Sequence, residues 1–510
     1  MRTSFLNAVG WFLPVRRSRG APWAAASVLL FLGPFIQVSE AQLASFAIAS
    51  VADQEGNLHC LWERRDKELH YTKITAKGAL EFSITLPLPE LVIAWGSLAV
   101  DSLNKTHVVC NEGQYQTPSD SMYLFSFSPQ GCLLSSRVLP SRYGGIHGLT
   151  AVCDPFDNLW IIAMNQRGVN HDLVCTKISP LGDVLLDEKR LTSDPNEDEN
   201  PSAVSDPAGA IYVAWNNGSF RDYPYLDTEV YGLKIANDGK VLVPPKNLSR
   251  NSGRSWRQSL LLTRSGEVMV AWDDRLEFTG QLQVKLVRFS PDLERVADEI
   301  ALSPRACEAW TPSLAADRDG NIFCAFSCLG QGLWLARLKE NGEIIAPAHA
   351  ILTTESNYPH LDLTSSSLRL TTTLVTRSLV TPPFESHAYF LEIDRELEEV
   401  RISQPLEESA PSPGQCAAFL RGDCNADGKI ELSDAVCSLA WLFQGGATPD
   451  CIAATNTDGV GTVDLTDPIY LLNHLFLGGP PPVAPYPECG VGTLPEDEGT
   501  CKTPPENCPM

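Results

Sequence analysis

Twelve residues near the C-terminal end, Asp423-Cys-Asn-Ala-Asp-Gly-Lys-Ile-Glu-Leu-Ser-Asp434, carry the densest chemistry in this sequence. Side-chain oxygens stand at positions 1, 3 and 5 (Asp423, Asn425, Asp427), and Gly428 at position 6 permits a sharp turn. Lys429 offers its carbonyl at position 7, Glu431 follows at 9 and Asp434 at 12. That spacing gathers oxygens round one point, as a hard cation with about six to eight oxygen ligands requires, so Ca2+ is the expected ion. Thirty-three residues on, the pattern returns as Asn456-Thr-Asp-Gly-Val-Gly-Thr-Val-Asp-Leu-Thr-Asp467. Asn456, Asp458, Thr462, Asp464 and Asp467 fill its ligand positions, but Val460 at position 5 removes one oxygen. The second loop is expected to bind more weakly.

Each loop must be held by a helix, and apolar runs follow both: Ala435–Phe443 and Pro468–Phe476. Pro468 suits a first helical turn, where its missing N–H is no loss. Leu439, Leu442 and Phe443 correspond to Leu472, Leu475 and Phe476, which predicts a shared core. This duplicated loop-plus-helix form, over residues 416–480, resembles the type I dockerin. The resemblance implies a cohesin-like protein or another cell-surface component as partner, recognised through positions 10 and 11 (Leu432 and Ser433, Leu465 and Thr466), and a setting of polysaccharide breakdown.

A second set of candidates is spread over residues 42–408. Trp95, His147, Glu199 with Asn200, Trp256, Trp310 and Tyr358 recur at matching places in a repeat, and Asp273 and Asp274 follow one copy. Aromatic rings stack on sugar faces and carboxylates or amides bind hydroxyls; two carboxylates at a set separation are what glycoside hydrolysis needs. The repeat that positions them is a short apolar strand, a D-x-x-G-like turn and a second apolar strand, clearest at Asp53–Trp62, Asp206–Trp215 and Asp317–Phe326. Weaker copies centre on Asn104, Asp157, Gly266 and Ser366, so successive centres lie 46 to 57 residues apart. A second glycine hairpin follows each copy, as in Tyr231–Val243 and Leu333–Ile345.

Four strands per repeat and seven repeats predict a mainly β fold: a seven-bladed β-propeller followed by the small helical calcium module. A pair of β-sandwiches is the rival. With strands A to D running outward from the axis, both sets of glycine turns fall on one face. The B–C loops (Glu63, Arg64, Glu112, Asn165, Asn216, Asp273, Asp274, Arg275) and the D-to-A connections share the other, where function is expected. Trp62, Trp215 and Trp272 end strand B at one register and are predicted to pack between blades. Pro201-Ser202 through Trp215, with Pro312-Ser313 through Phe326, resembles the sialidase-like propeller repeats of secreted bacterial proteins. The Ser-x-Asp-x-Gly-x-Thr-Trp boxes and arginine triad of sialidases are absent, so that resemblance implies the fold alone.

The rest of the chain sets the compartment. Arg16, Arg17 and Arg19, an apolar run from Ala24 to Ile36 and Ser39-Glu-Ala41 read as a cleavable leader over residues 1–41. Trp23–Val38 holds Pro34 and is shorter than the roughly 20 residues of a membrane span, and nothing later could span one. Fifteen cysteines, seven of them from Cys416 onward, fit disulfides outside the cytoplasm: secreted, surface-bound or periplasmic. Cys307 and Cys328 are expected to pair across blade six. Residues 409–415 read as a linker and 481–510 as a Cys/Pro-rich tail. With 39 basic and 62 acidic residues the net charge is -23, which argues against nucleic acid as a partner. Two functions stay open: a binding protein whose propeller takes a polysaccharide or glycoconjugate, or an O-glycosyl hydrolase or polysaccharide lyase with its acids in the propeller loops.

Overall fold

The computed structural model describes residues 45–508 except 65–67, 89–92, 113–120, 142–145, 168–169, 219–227, 252, 276–279, 355, 364–367, 376–385, 394–399, 403–405, 407–417, 493–496, 498–500 and 502–507. The leader, the linker and the turn centred on Ser366 lie outside the described residues, as does Cys416.

Seven antiparallel four-stranded sheets follow one another along the chain, each with its strands in sequence order. Blade 1 comprises Ser45–Ala52, Leu58–Arg64, Leu69–Ile74 and Leu80–Thr85. The inner strands A of blades 2 to 7 are Ile93–Val100, Ile146–Cys153, Glu197–Ser205, Arg254–Leu262, Ala309–Ala316 and Ser356–Leu363. Each inner strand touches the inner strands of both neighbours, and the last touches the first, so the sheets close into a ring. That closure is the predicted propeller and excludes paired sandwiches.

The turn chemistry explains why five of the blades begin alike. Asp53, Asp101, Asp154, Asp206 and Asp317 each accept, through Oδ1, the backbone N–H four residues on at 2.8–3.0 Å. Such an Asx turn needs a left-handed residue three positions after the aspartate. Glycine supplies it at Gly56 and Gly320 (both φ 82°), whereas Asn104 (58°) and Asp157 (59°) supply it in the weaker copies.

Packing then follows from alternation. Seven apolar clusters each join two adjacent blades, and between them they account for all seven seams. Trp62, Trp215 and Trp272 are buried at the seams with blades 7, 3 and 4, as their shared register predicted. Near the axis, serine hydroxyls of one inner strand accept N–H groups of the next: Ser97 from Ala151 (3.0 Å), Ser259 from Leu314 (3.1 Å) and Ser313 from Leu361 (2.9 Å).

The last seam is distinctive. Arg369, in strand B of blade 7 (Leu368–Val375), is fully buried and donates to the carbonyls of Gly56 (3.0 Å), Thr75 (2.8 Å) and Ala76 in blade 1. Ser50 of blade 1 reaches back to Asp362 of blade 7. Strand B in several blades also runs further than the sequence reading allowed. Asp273 and Asp274 pair with Val284 and Gln283, so they lie in the ladder of strand B (Val268–Arg275) and not in a loop.

Beyond the propeller, Leu432–Gln444 and Thr466–Leu477 form helices α1 and α2 that pack together, each ending at a left-handed glycine (Gly445, Gly478). Residues after 480 join this module: Phe419 pairs with Gly490, and disulfides link Cys424–Cys437, Cys451–Cys501 and Cys489–Cys508. Cys307–Cys328 is also bonded, as expected. Buried Arg421 donates to the carbonyls of Ala453 and Asn456 (both 2.9 Å) and Ala484 (2.8 Å), and pairs with Asp497 at 2.6 Å. The expected shared core is only partly formed: Phe443 (62% exposed) and Phe476 (64%) face outward, and small residues such as Ala435 and Ser438 take the interior with Leu471. Among the described residues no helix is long and apolar enough to cross a membrane.

Removing the Arg369 guanidinium takes a donor from the carbonyls of Gly56, Thr75 and Ala76, of which Thr75 keeps the N–H of Gly78, and a buried group left unsatisfied costs about 1–3 kcal/mol. Arg369→Leu is expected to lower unfolding free energy by roughly 3 kcal/mol in urea titration; a loss under about 1 kcal/mol would show that the seam closes without it.

Candidate functional site

The predicted ligand residues sit where the inner strands leave regular pairing. In blade 5 the ladder runs from Trp256–Asp273 to Ser259–Ala271, so strand A carries one residue more than strand B. The same β-bulge lies between Glu199 and Ser202 in blade 4 and between Trp310 and Ser313 in blade 6. Within each bulge one non-glycine residue takes left-handed backbone: Asn200 (φ 53°), Arg257 (51°) and Thr311 (49°). Such a conformation costs on the order of 1–3 kcal/mol, and a bulge re-aims the side chains around it.

In blade 5 the result is a stack of alternating charge and aromatic ring. The Arg254 guanidinium lies 4.1 Å from the Trp256 ring centre and that of Arg257 4.5 Å from it, while Arg257 is also 5.1 Å from the Trp310 ring of the next blade. Arg257 Nη1 stands 3.3 Å from Asp273 Oδ2. Asp273 is wholly buried, and that burial pushes its carboxyl up to about 6 against the opposing pull of Arg257 and Arg254. The buried indole N–H of Trp310 has no hydrogen-bond partner among the described residues. Asp274 serves differently: it pairs with Lys285 and accepts from Ser255 (3.0 Å) and Asn251 (2.6 Å), tying blade 5 together.

One blade back, Glu199 meets His171 of strand C in blade 3 (Asn170–Ile178), with Nδ1 and Oε1 3.3 Å apart. Glu197 joins them, so that one ligand atom from each of the three lies within 4.8 Å of the others. Burial raises the Glu199 pKa, His171 lowers it and Glu197 raises it further. Asn200 donates its backbone N–H to Met164 Sδ (3.2 Å) and lies 3.5 Å from Asn216 Oδ1. Gln258 of blade 5 donates to the carbonyls of Asn200 and Ala214, which links this cluster to the arginine–tryptophan stack.

The remaining predicted residues are placed by their backbone. Trp95 pairs with Asn111 in blade 2, His147 lies in the inner strand of blade 3, and Tyr358 lies in that of blade 7. In blade 7 the ladder position matching Trp256 and Trp310 is Asn357, one residue before Tyr358. The side chains of Trp95, His147 and Tyr358 lie outside the described residues. Arg254, Arg257, His171 and Glu197 escaped the sequence reading. Aligning Glu199-Asn200-Pro201, Trp256-Arg257-Gln258 and Trp310-Thr311-Pro312 would have marked the bulge residues, whereas nothing in one dimension joins His171 to Glu199. At the glycine-turn end of the axis, a cavity of about 640 Å³ is lined by Asp53, Asp101, Asp154, Asp206 and Arg264. Of its five aspartates, Asp53, Asp101, Asp154 and Asp206 are engaged by their own turns, and Asp157 accepts from the backbone N–H and hydroxyl of Ser102 in the neighbouring blade.

In the C-terminal module the two acidic loops share their position-12 bonds, to the N–H groups of positions 3 and 9, and differ at position 1. Asp423 accepts the N–H groups of Asp427 (3.0 Å) and Gly428 (2.8 Å), and Asp434 those of Glu431 (2.9 Å) and Asn425 (3.4 Å). In the second loop Asp467 accepts from Asp464 (2.9 Å) and Asp458 (3.3 Å), and Asn456 from Gly459 (2.9 Å). Positions 1 and 12 are buried in both loops. Burial, with the charges of Asp423 and Asp427, pushes Asp434 up to about 6. No three carboxylates here close to the 4.8 Å of the His171 cluster. The helices present matched apolar residues to solvent, Leu432, Val436 and Phe443 from the first repeat and Leu465, Ile469 and Phe476 from the second.

No protein-family model matches the chain, and no curated protein matches it. It is similar to an ulvan lyase of polysaccharide lyase family PL25 (9% identity, 71% of this chain and 97% of that one, TM-score 0.49). It is also similar to a Penicillium chrysogenum alpha-L-arabinanase (12% identity, 59% and 93% covered, TM-score 0.42). A mutant NanB sialidase from Streptococcus pneumoniae matches at 8% identity over 71% and 84% of the two chains, with TM-score 0.37. Likeness at this distance assigns neither activity nor substrate.

Asp273 binds its proton more tightly folded than unfolded, because its folded value is about 6 and its ordinary one 3.8. Its contribution therefore favours the fold in acid and is lost as pH rises from about 4 through 6. Relative to Asp273→Asn, the wild-type protein should lose up to about 3 kcal/mol of stability between pH 4 and 7. Denaturant titrations of both proteins across that range check this; a constant difference between them would refute it.

Proposed function

We propose that the propeller binds an acidic polysaccharide across Trp256, Arg257 and Trp310, and that the C-terminal module is a calcium-stabilised docking unit of an exported protein. The observation that carries the first half is the placing of Arg257. A strained bulge holds its guanidinium between two tryptophan rings on adjacent blades, 23% exposed. An indole stacks on the apolar face of a pyranose, a role for Trp310, which has the single guanidinium of Arg257 over its ring among the described residues, while a guanidinium engages a carboxylate or sulfate through paired hydrogen bonds.

Affinity electrophoresis in gels containing polygalacturonate, a sulfated galactan or neutral dextran tests this reading. The acidic polymers alone should retard the protein. Arg257→Ala and Trp310→Ala should each lose about 1–3 kcal/mol of binding without a matching loss of fold. Equal retardation by dextran, or no effect of either substitution, would remove the reading. The buried Asp273, protonated near neutral pH more than an ordinary carboxyl, favours a second reading as a glycoside hydrolase or lyase. New reducing ends or unsaturated products in the same mixtures would support it.

For the module, the donor set fits calcium: all-oxygen ligands, a left-handed Gly428 (φ 82°), and carboxylates whose mutual charge an ion would offset. Asp423, Asn425, Asp427, Lys429 through its carbonyl, Glu431 and Asp434 would hold the first ion; Asn456, Asp458, Thr462, Asp464 and Asp467 the second. The exposed pairs Leu432/Leu465, Val436/Ile469 and Phe443/Phe476 support docking to a cohesin-like or surface partner, and the disulfides support an extracytoplasmic site of action. Calcium should raise the melting temperature, because it binds only the folded state. By calorimetry Asp423→Ala should abolish the tighter site and Asp467→Ala the weaker; equal losses, or no calcium uptake by the parent, would contradict the assignment.

A further inference from the structure

The cluster of His171, Glu197 and Glu199 belongs to neither of the sites just described. Glu197 and Glu199 are two residues apart on one strand, so both project from the same side of the sheet. His171 comes from the neighbouring blade. The contact between the two strands is pinned by Asn170, whose Nδ2 donates to the Pro195 carbonyl at 2.6 Å, two residues before Glu197. All three side chains are withdrawn from water: His171 is 12% exposed and Glu199 4%, and Glu197 is buried as well.

We propose that His171, Glu197 and Glu199 form a binding site for a zinc-class divalent cation between blades 3 and 4. An imidazole nitrogen and two carboxylate oxygens are the donors such ions take, at about 2.0–2.2 Å. Donors at that range stand roughly 3.0–4.2 Å apart round one ion, and the three atoms here already lie within 4.8 Å of one another, so small side-chain rotations close the site. The imidazole separates this site from the all-oxygen loops of the C-terminal module, which suit calcium. Three protein donors leave a coordination position for water, the arrangement of an open site.

The test uses the full exported chain, with calcium in excess to occupy the acidic loops. Equilibrium dialysis against micromolar Co2+ should find one ion per chain, with a visible absorption band that Zn2+ removes. His171→Ala and Glu197→Gln should each weaken Co2+ retention by at least about tenfold. Because either substitution could loosen the contact between the blades, the wild-type Co2+ form is also read directly by proton NMR. One exchangeable imidazole proton should be displaced far outside the diamagnetic range. Absence of that signal, absence of a calcium-resistant Co2+ ion, or retention unchanged in both variants would overturn the assignment.

Discussion

Closing a ring of sheets without a shared strand throws the whole architecture onto one buried guanidinium. Each sheet is built only from consecutive strands, so the first and last blades meet with no backbone ladder between them. Arg369 replaces that ladder by donating to carbonyls of two blade 1 turns, while Leu58, Cys60 and Trp62 pack on Ala388 and Phe390 beside it. The arrangement works because those turns are already rigid. Asp53 holds Gly56 and Asn57 in place, and Asn57 Oδ1 accepts from Ala76 at 2.8 Å, so the acceptors are presented before the arginine arrives. A charge so deeply buried needs compensation, and here both Nη atoms bond the turn carbonyls while Glu392 stands 3.5 Å from Nη2, which makes the seam cooperative with the turns.

The two ends of the inner strands divide the labour. At the glycine-turn end Asp53, Asp101, Asp154, Asp206 and Asp317 cap their own backbone and Asp157 holds Ser102 of the neighbouring blade, giving rigidity and little spare chemistry. At the other end the bulges break the ladder, and Asn200, Arg257 and Thr311 accept backbone strain. Strain of that kind persists only where the surroundings over-determine it. Here the serine bonds of Ser97, Ser259 and Ser313 hold neighbouring inner strands together just past the bulge register. Blade packing therefore stabilises the site as well as the fold.

How much of this was legible in one dimension follows from the range of each interaction. The turn aspartates, the strand B tryptophans and the duplicated acidic loops are local patterns, and the sequence shows them with their registers. Trp256, Trp310, Glu199 and Asp273 could be placed on the right end of the blades because that end follows from hairpin parity alone. Arg257 was hidden because a bulge shifts register by one, turning an apparently ordinary strand residue into the centre of the stack. His171, Arg369 and Arg421 act across chain separations that no short motif spans. Phe443 and Phe476 misled for another reason: helical spacing puts them beside the apolar stripe, but the disulfide-bonded segment after 480 and the small residues Ala435 and Ser438 leave them no interior to enter.

Charge sets the last constraint. A protein of net charge -23 repels a polyanion at long range, so the acidic glycan proposed as ligand would have to be met by something local. At physiological ionic strength the repulsion is screened beyond about 8 Å, while contacts inside that distance keep their strength. Arg254 and Arg257 fit this regime: Arg254 stands 4.1 Å from the Trp256 ring and Arg257 within 5.1 Å of both the Trp256 and Trp310 rings, and the wholly buried Asp273 anchors Arg257 without presenting its own charge to solvent. Protonation of Asp273 would free still more of the guanidinium charge for a ligand, so binding to an anionic polymer should strengthen as pH falls through about 6 provided the polymer stays ionised. The same local logic lets acidic loops and a basic shelf coexist in one chain, each tuned by what lies within a few ångströms and nearly blind to the net charge.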